Sequence, residues 1–204
     1  MNRVQAERLD FESFRSGPAS TATPVFGING GTRVWKIQVD GLACLDLGSS
    51  TGGFTDCLLQ RGANSVCAVD SGTNQLDYRL RKDPRVRVME NFNARELRPE
   101  NCGGPFDFAT LDLSFIRLEK IFPALKLCLK QRARWVALVK PQFEISPGDV
   151  PRGGVVLDEE ARKRALSAVK NVAVNLGLGP EEDFESPLPG RSGNIEFLLL
   201  GQRD

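Results

Sequence analysis

Three charged residues stand where the sequence could place an acid–base site. Asp112 and Lys140 each follow an apolar segment, and Glu196 lies within another. The carboxyl ends of parallel strands open onto one crevice, so Asp112 and Lys140 are expected to meet there, with Glu196 joining them from the beginning of an antiparallel strand. For each residue alone a structural ion pair is the alternative, but the joint placement favours a catalytic group. A lysine held by two carboxylates can orient a hydroxyl, accept its proton or stabilise the developing alkoxide.

The composition limits the chemistry further. The chain has 204 residues and no histidine, so acid–base steps must use Lys, Asp, Glu or Tyr. Five cysteines lack Cys-x-x-Cys spacing, and neither zinc nor another metal is expected. These are Cys44, Cys57, Cys67, Cys102 and Cys128. No segment has the apolar length of a membrane span and the start lacks the apolar core of a signal peptide, which favours a cytoplasmic protein.

A glycine-rich turn at Gly48-Ser-Ser-Thr-Gly52-Gly53 connects an apolar strand to a helix. Glycine has no Cβ and lets a ligand approach the backbone, although the turn could be only a tight connection. Its spacing fits neither the dinucleotide fingerprint nor the phosphate-binding loop of ATPases, and no lysine follows it. S-adenosylmethionine lacks phosphate and is the expected cofactor. Around its methionine part we expect Asp46, Gly48, Ser49, Ser50, Thr51, Gly52, Gly53 and Phe54.

Two further residues are candidates for the rest of the cofactor. Asp70 ends the next apolar segment, where a doubly wound sheet delivers a side chain to the ligand crevice, and it is assigned to the ribose hydroxyls. Its alternative is a helix cap. Asn93 follows the third strand and is assigned to the adenine, with an ordinary turn asparagine as the alternative.

The positioning elements alternate between strand and helix, which predicts an α/β fold with a mostly parallel seven-stranded sheet. The last two strands flank a short loop at 189–193, so the final strand is expected to be antiparallel. A long loop rich in Gly and Pro, at 147–154, follows the fifth strand and is expected to shape the substrate site. The predicted strands are 42–47, 65–70, 86–89, 106–112, 135–140, 183–187 and 194–200, and the predicted helices are 53–61, 74–82, 117–131 and 158–176.

Four separated motifs resemble the TlyA family, the hemolysin-like members of the FtsJ-type ribosomal RNA 2′-O-methyltransferases. They are Leu45 to Cys57, Asp112-Leu-Ser-Phe-Ile116, Val139-Lys-Pro-Gln-Phe-Glu144 and Gly193-Asn-Ile-Glu-Phe197, in the family's order. The resemblance implies a Rossmann-like methyltransferase fold, S-adenosylmethionine as cofactor and RNA ribose as acceptor. It also implies a Lys-Asp-Lys-Glu tetrad, whose last three members fall on Asp112, Lys140 and Glu196.

The chain departs from that family pattern in two places. Arg33 stands where the first lysine of the tetrad is expected, and Lys36 is a candidate substitute. Arg33 could add positive charge near the alkoxide but cannot act as a base. The family usually has an S4-type RNA-binding domain at its amino end, and 1–25 is too short for one. We therefore expect a flexible arm over 1–25 and a methyltransferase domain over 26–204.

The expected activity is 2′-O-methylation of ribosomal RNA, with RNA or a ribosomal particle as the partner. A factor that binds the cofactor or RNA without turnover is the alternative, and a small-molecule O-methyltransferase or a nucleotide-dependent oxidoreductase are further ones. The net charge of +1 does not by itself indicate a nucleic-acid partner. Two basic clusters could contact RNA or be solvated helix faces. One contains Arg79, Arg81, Lys82, Arg85 and Arg87, and the other contains Arg117, Lys120, Lys126, Lys130, Arg132 and Arg134.

Overall fold

The structure is a computed structural model that describes residues 35, 37–190 and 193–204, apart from the side chain of Pro147. The predicted arm over 1–25, Arg33 and Lys36 lie outside the described residues. Within the described part, no helix combines the length and apolarity needed to cross a membrane.

Seven strands form one sheet in the order β3-β2-β1-β4-β5-β7-β6. Strands β1 to β5 are parallel to one another, whereas β7 runs antiparallel to both β5 and β6. The predicted fold class, with an antiparallel last strand, is confirmed. The strands are β1 Ala43–Leu47, β2 Ser65–Val69, β3 Val86–Met89, β4 Phe106–Leu111, β5 Leu129–Val139, β6 Leu178–Glu185 and β7 Phe197–Arg203.

Helices cover both faces of the sheet, so the apolar core lies in two layers. Successive strand residues point to opposite faces. In β5, for example, Trp135 and Ala137 enter one layer while Val136 and Leu138 enter the other. The helices are α1 Gly53–Gln60, α2 Tyr78–Lys82, α3 Pro99–Cys102, α4 Phe122–Cys128, α5 Pro141–Glu144 and α6 Glu159–Asn175, with 3₁₀ turns at Ala94–Glu96, Leu118–Lys120 and Pro147–Asp149.

The predicted helix over 117–131 is wrong at its carboxyl end, because β5 already begins at Leu129. The strand starts irregularly: the β4–β5 register shifts between Phe106 and Phe108, and Arg132 has a left-handed φ of 61°. Lys130 pairs with Asp107 of β4 at 2.7 Å. The charged residues at 130–134 could be read from the sequence as a solvated helix face. They form the irregular start of strand β5, which the ion pair holds against β4.

The predicted helix over 74–82 begins only at Tyr78. The carboxylate of Glu90 accepts the backbone N–H groups of Asn74, Gln75 and Leu76, at 2.8, 2.9 and 3.2 Å. Those three residues form a loop around Glu90 because their amides bond to its side chain. The last strands are also displaced from their predicted bounds, since β6 begins at Leu178 and β7 begins at Phe197.

Candidate functional site

Asp112 and Lys140 meet at the carboxyl ends of β4 and β5, as the sequence pattern predicts. The Nζ of Lys140 lies 2.6 Å from Oδ1 of Asp112, and the two side chains are only 13% and 11% exposed. Lys140 also donates a 3.1 Å hydrogen bond to the hydroxyl of Ser114. An ammonium has three N–H donors and the bond to Ser114 uses one of them, so Lys140 can also donate to an incoming acceptor.

Glu196 lies immediately before β7 rather than inside it and is 5% exposed. The side chain of Gln142, on α5, donates to Oε1 of Glu196 at 3.1 Å. Burial raises the pKa of Glu196, and Gln142 and the positive charge of Lys140 oppose that rise. The structure thus brings the three predicted groups to one end of the sheet, with Glu196 held by Gln142. Sequence reasoning missed Ser114 and Gln142, although both lie in the quoted motifs.

Asp46 lies beneath the glycine turn and is fully buried. Its Oδ2 accepts the hydroxyl of Thr55 at 2.7 Å and its Oδ1 accepts that of Thr110 at 2.9 Å. Burial raises the pKa of Asp46 to about 6, and the two hydroxyls oppose the rise. Asp46 therefore connects β1 to α1 and β4, and its contacts make it a support for the turn. The predicted contact of Asp46 with the cofactor stays a prediction.

At two positions packing also requires glycine, because protein atoms occupy the space that a Cβ would take, and the predicted approach of a cofactor to this backbone stays a prediction. A Cβ on Gly48 would lie 2.3 Å from the carbonyl oxygen of Asp112. A Cβ on Gly52 would lie 2.2 Å from Cδ1 of Leu80. Both glycines have positive φ, 81° and 104°. The turn needs glycine to pack against Asp112 and Leu80, whatever its contact with a ligand.

The remaining predicted residues of the turn lie around these two glycines. Ser49 is 5% exposed and its N–H bonds to the carbonyl of Val69, whereas Thr51 is exposed. Gly53 begins α1, and Phe54 is 5% exposed within one core layer. Phe54 thus packs as a core residue, and its predicted cofactor contact, like those of Ser49, Thr51 and Gly53, stays a prediction.

Asp70 follows β2, and its side chain binds the backbone of the glycine turn. Its carboxylate accepts the N–H of Ser50 at 2.8 Å and that of Gly72 at 2.7 Å. A carboxylate can accept about four hydrogen bonds. Asp70 therefore keeps acceptor positions open while it holds Ser50, whose φ of 47° turns the chain at this point, and its predicted contact with the cofactor ribose stays a prediction.

Asn93 caps the 3₁₀ turn Ala94–Glu96. Its side-chain oxygen accepts the N–H of Arg95 at 3.1 Å and its amide donates to Glu96 at 3.3 Å. These contacts match the turn asparagine that the sequence left as the alternative. A contact of Asn93 with adenine stays a prediction.

Glu90, which follows β3, is a residue that the motifs do not indicate. Besides the three loop amides it binds Arg81 at 2.6 Å, and this guanidinium holds the pKa of Glu90 at about 2. The loop it fixes reaches the glycine turn, since the N–H of Asp77 donates to the carbonyl of Thr51 at 3.1 Å. The signal that could have found Glu90 is the one that found Asp70: an acid directly after a strand.

Phe115 directly follows Ser114, the hydroxyl partner of Lys140, and carries an exposed aromatic ring. Its side chain is 87% exposed, its φ is 63°, and its ring centroid lies 5.0 Å from that of Phe143 on α5. A left-handed phenylalanine costs free energy, and such strain collects at functional sites. The two rings belong to the segments that carry Asp112 and Lys140.

The basic clusters are largely neutralised by neighbouring acids. Arg79, Arg81 and Arg85 pair with Asp77, Glu90 and Asp83, at 3.2, 2.6 and 2.7 Å. In the second cluster, Lys120, Lys130 and Arg134 pair with Glu119, Asp107 and Glu181. Within this second cluster, Arg117 and Lys120 stand near the carboxyl ends of the strands, whereas 130–134 begins β5 at the opposite end. The clusters do not form one positive face.

Metal-ligating groups do not converge in the part of the chain that the structure describes, where no cluster of three or more His, Cys, Asp or Glu side chains could hold an ion. The five cysteines are free thiols. Burial raises the pKa of Cys44 and of Cys67 to about 12, so both stay neutral thiols within the core.

Residues 27–203 match the model of the FtsJ-like methyltransferase family. Over 170 residues the chain is 50% identical to the 16S/23S rRNA (cytidine-2′-O)-methyltransferase TlyA of Mycobacterium tuberculosis, covering 83% of this chain and 63% of that protein. It is 42% identical to Hemolysin A of Brachyspira hyodysenteriae, covering 79% and 68%. The chain thus spans a little under two thirds of the M. tuberculosis protein.

Solved structures show the same architecture. A hemolysin-like protein from Lactococcus lactis superposes with a TM-score of 0.80 at 41% identity, covering 82% of this chain and 81% of that one. An S-adenosylmethionine-dependent methyltransferase from Mesorhizobium loti superposes with a TM-score of 0.60 at 18% identity, covering 82% and 93%. The second likeness concerns the fold alone.

Proposed function

Because the chain belongs to the FtsJ-like methyltransferase family, we propose that it transfers a methyl group from S-adenosylmethionine to a ribose 2′-hydroxyl of ribosomal RNA. The observation that carries this proposal is the Lys140–Asp112 pair at 2.6 Å, whose aspartate backbone packs on Gly48 of the predicted cofactor turn. The name of the M. tuberculosis relative, an rRNA (cytidine-2′-O)-methyltransferase, supports the acceptor. We assign the activity to a domain over 26–204.

The cofactor would be held by the turn and by Asp70. Asp70 offers acceptor positions for the two ribose hydroxyls, while Gly48 to Gly53 lie beside it because Ser50 is hydrogen-bonded to the same carboxylate. When bound, S-adenosylmethionine supplies an activated methyl group on a sulfonium sulfur. The chain's own residues must then align the acceptor and manage its proton.

Lys140 manages the acceptor in this proposal. Its ammonium is paired with Asp112 and donates to Ser114, and a further N–H donates to the ribose 2′-oxygen. This bond stabilises negative charge on the oxygen as the O–H bond weakens. The proton released from the 2′-hydroxyl goes to the carboxylate of Asp112, because an ammonium has no lone pair that could accept it. Glu196, held by Gln142, keeps a second carboxyl group close to the lysine.

Phe115 and Phe143 favour RNA over a small alcohol as the acceptor. An exposed aromatic ring beside the reacting group offers a stacking surface to an unpaired base. A small substrate would be expected in an enclosed pocket, and Phe115 is 87% exposed. A single-stranded or flipped-out nucleotide can place its base on this ring and its ribose at Lys140.

The test is transfer of a labelled methyl group to ribosomal RNA, in free form and in ribosomal subunits. Lys140→Ala removes the proposed group, and Lys130→Ala is its matched control, because Lys130 pairs with Asp107 at 2.7 Å between the same two strands at their opposite end. We expect a loss of about 100-fold or more for Lys140→Ala, and about threefold or less for Lys130→Ala.

Two outcomes would contradict the proposal in different ways. If wild type and Lys140→Ala label ribosomal RNA equally, and RNA cleavage maps the methyl group to the same nucleotide in both, Lys140 has no part in the mechanism. If adenosylhomocysteine raises the melting temperature but no ribosomal particle is labelled, the chain is a binding factor without turnover. The melting temperature of each variant controls for folding, since Lys140→Ala leaves Asp112 without its cation.

A further inference from the structure

Two hydrogen bonds join the segments that follow β4 and β5. The guanidinium of Arg117 donates from Nη2 to the carbonyl oxygen of Ile145 at 3.0 Å. In return, the N–H of Leu118 donates to Oε1 of Glu144 at 3.0 Å. Each segment supplies one side-chain partner and one backbone partner, so the two bonds form a reciprocal clasp.

The clasp lies where the sheet no longer holds the two segments together. The last paired residues of β4 and β5 are Leu111 and Ala137. Asp112 and Lys140 come after these pairs, where the pairing of β4 with β5 has ended. Beyond the sheet, the segments are joined by the Lys140 contacts to Asp112 and Ser114, by the contact of the two phenylalanine rings, and by the clasp.

Glu144 is a half-buried carboxyl group that the methyl-transfer chemistry does not use. It borders a cavity of about 220 Å³ together with Arg117, Ser146 and Arg164. Burial raises its pKa to about 7, and the Leu118 amide and the Arg117 charge oppose that rise. A carboxyl group accepts the Leu118 amide whether or not it carries a proton, so its role in the clasp requires an acceptor oxygen rather than a charge.

We propose that Glu144, with Arg117, is a positioning residue that fixes the Ser114–Phe115 segment against the Lys140–Phe143 segment. This inference rests on the proposed methyl transfer. A shift of about 1 Å in a catalytic group can cost about 100-fold in rate. Loss of the clasp releases one end of both segments and lowers the turnover of bound substrate. The cofactor turn and Asp70 lie on other elements, so the affinity for S-adenosylmethionine stays the same.

The experiment compares Glu144→Ala, which removes the acceptor, with Glu144→Gln, which keeps an acceptor oxygen. Glu119→Ala is the matched control, because Glu119 lies in the adjoining 3₁₀ turn and its ion pair is with the neighbouring Lys120. Two quantities are measured: kcat with KM for both substrates, and hydrogen exchange of the Leu118 amide by NMR. The exchange measurement does not depend on whether the protein is an active enzyme.

For Glu144→Ala we expect kcat to fall about tenfold or more with an unchanged KM for S-adenosylmethionine, and Leu118 exchange to accelerate about tenfold or more. Glu144→Gln should restore both values to within about threefold, and Glu119→Ala should match wild type. Wild-type kcat in Glu144→Ala, or equally fast Leu118 exchange in the Gln and Ala variants, overturns the proposal. Failure of the proposed function is distinguishable, because it shows as an absence of methyl transfer in the wild-type protein itself.

Discussion

The substitution Asp46→Asn should change the free energy of unfolding by an amount that follows from the burial of this carboxyl group. Asp46 is fully buried and its pKa in the folded protein is about 6, against 3.8 in the unfolded chain. A pKa raised by folding means that the folded state binds more protons between these values, so the contribution of Asp46 to stability is highest below pH 3.8 and falls as the pH rises through about 6. Each pKa unit corresponds to about 1.4 kcal/mol, which makes the cost of the buried charge about 3 kcal/mol above pH 6.

Asparagine removes that charge and keeps both hydroxyl contacts possible, because the hydroxyls of Thr55 and Thr110 can rotate to accept as well as donate. The assay is urea unfolding of wild type and Asp46→Asn from pH 3.5 to 7.5. The stability of the variant relative to wild type should rise by up to about 3 kcal/mol across this range, most steeply between pH 4 and 6. Thr55→Val, which removes one hydroxyl donor and keeps the acid, should instead lower stability at neutral pH. A variant-to-wild-type difference that stays constant with pH would refute the reasoning.

Three other predictions concern the walls of the site. Phe115→Ala should raise KM for RNA about tenfold with a melting temperature close to that of wild type, because the ring is 87% exposed; an unchanged KM would exclude the ring from RNA contact. Gly52→Ala should destabilise the protein by about 2 kcal/mol or more in urea unfolding, since its Cβ would lie 2.2 Å from Leu80, whereas Gly148→Ala, with no atom within 4 Å of the added Cβ, should be nearly neutral. Glu90→Gln should make the free energy of unfolding depend less on pH in the acid range. Folding lowers the pKa of Glu90 from 4.5 to about 2, so the stabilisation by its carboxylate is present above pH 4.5 and lost as the pH falls toward 2.

The sequence predicted the sheet and its reactive end well because both follow from local patterns. Apolar segments that end in a charged residue identify strand ends, and Asp70, Asp112 and Lys140 all follow strands. The longest helix, Glu159–Asn175, agrees with its predicted bounds to within one residue at each end. Its amino end is marked by Asp158, whose side chain accepts the N–H groups of Glu160 and Ala161.

What the sequence could not predict depends on contacts between distant segments. The start of β5 is decided by pairing with β4 and by the Lys130–Asp107 ion pair, neither of which alters the local periodicity. The shortened helix α2 depends on Glu90, fourteen residues after Leu76. The hydroxyl contacts of Asp46 and the clasp at Glu144 likewise require the sheet order before they can be recognised. Local pattern identified the catalytic candidates but not the groups that hold them.

Gly48 explains why the cofactor turn and the acidic motif at Asp112 should occur together in one chain. The N–H of Asp112 donates to the carbonyl of Leu47 at 2.9 Å, and the carbonyl oxygen of Asp112 fills the place where a side chain at Gly48 would begin. A residue larger than glycine at this position must displace the Asp112 backbone, and with it the partner of Lys140. The close packing of the two loops therefore makes the geometry of the turn and the geometry of the lysine site interdependent. A change that moves the backbone at Gly48 or at Asp112 is expected to move the other through this contact, without any ligand between them.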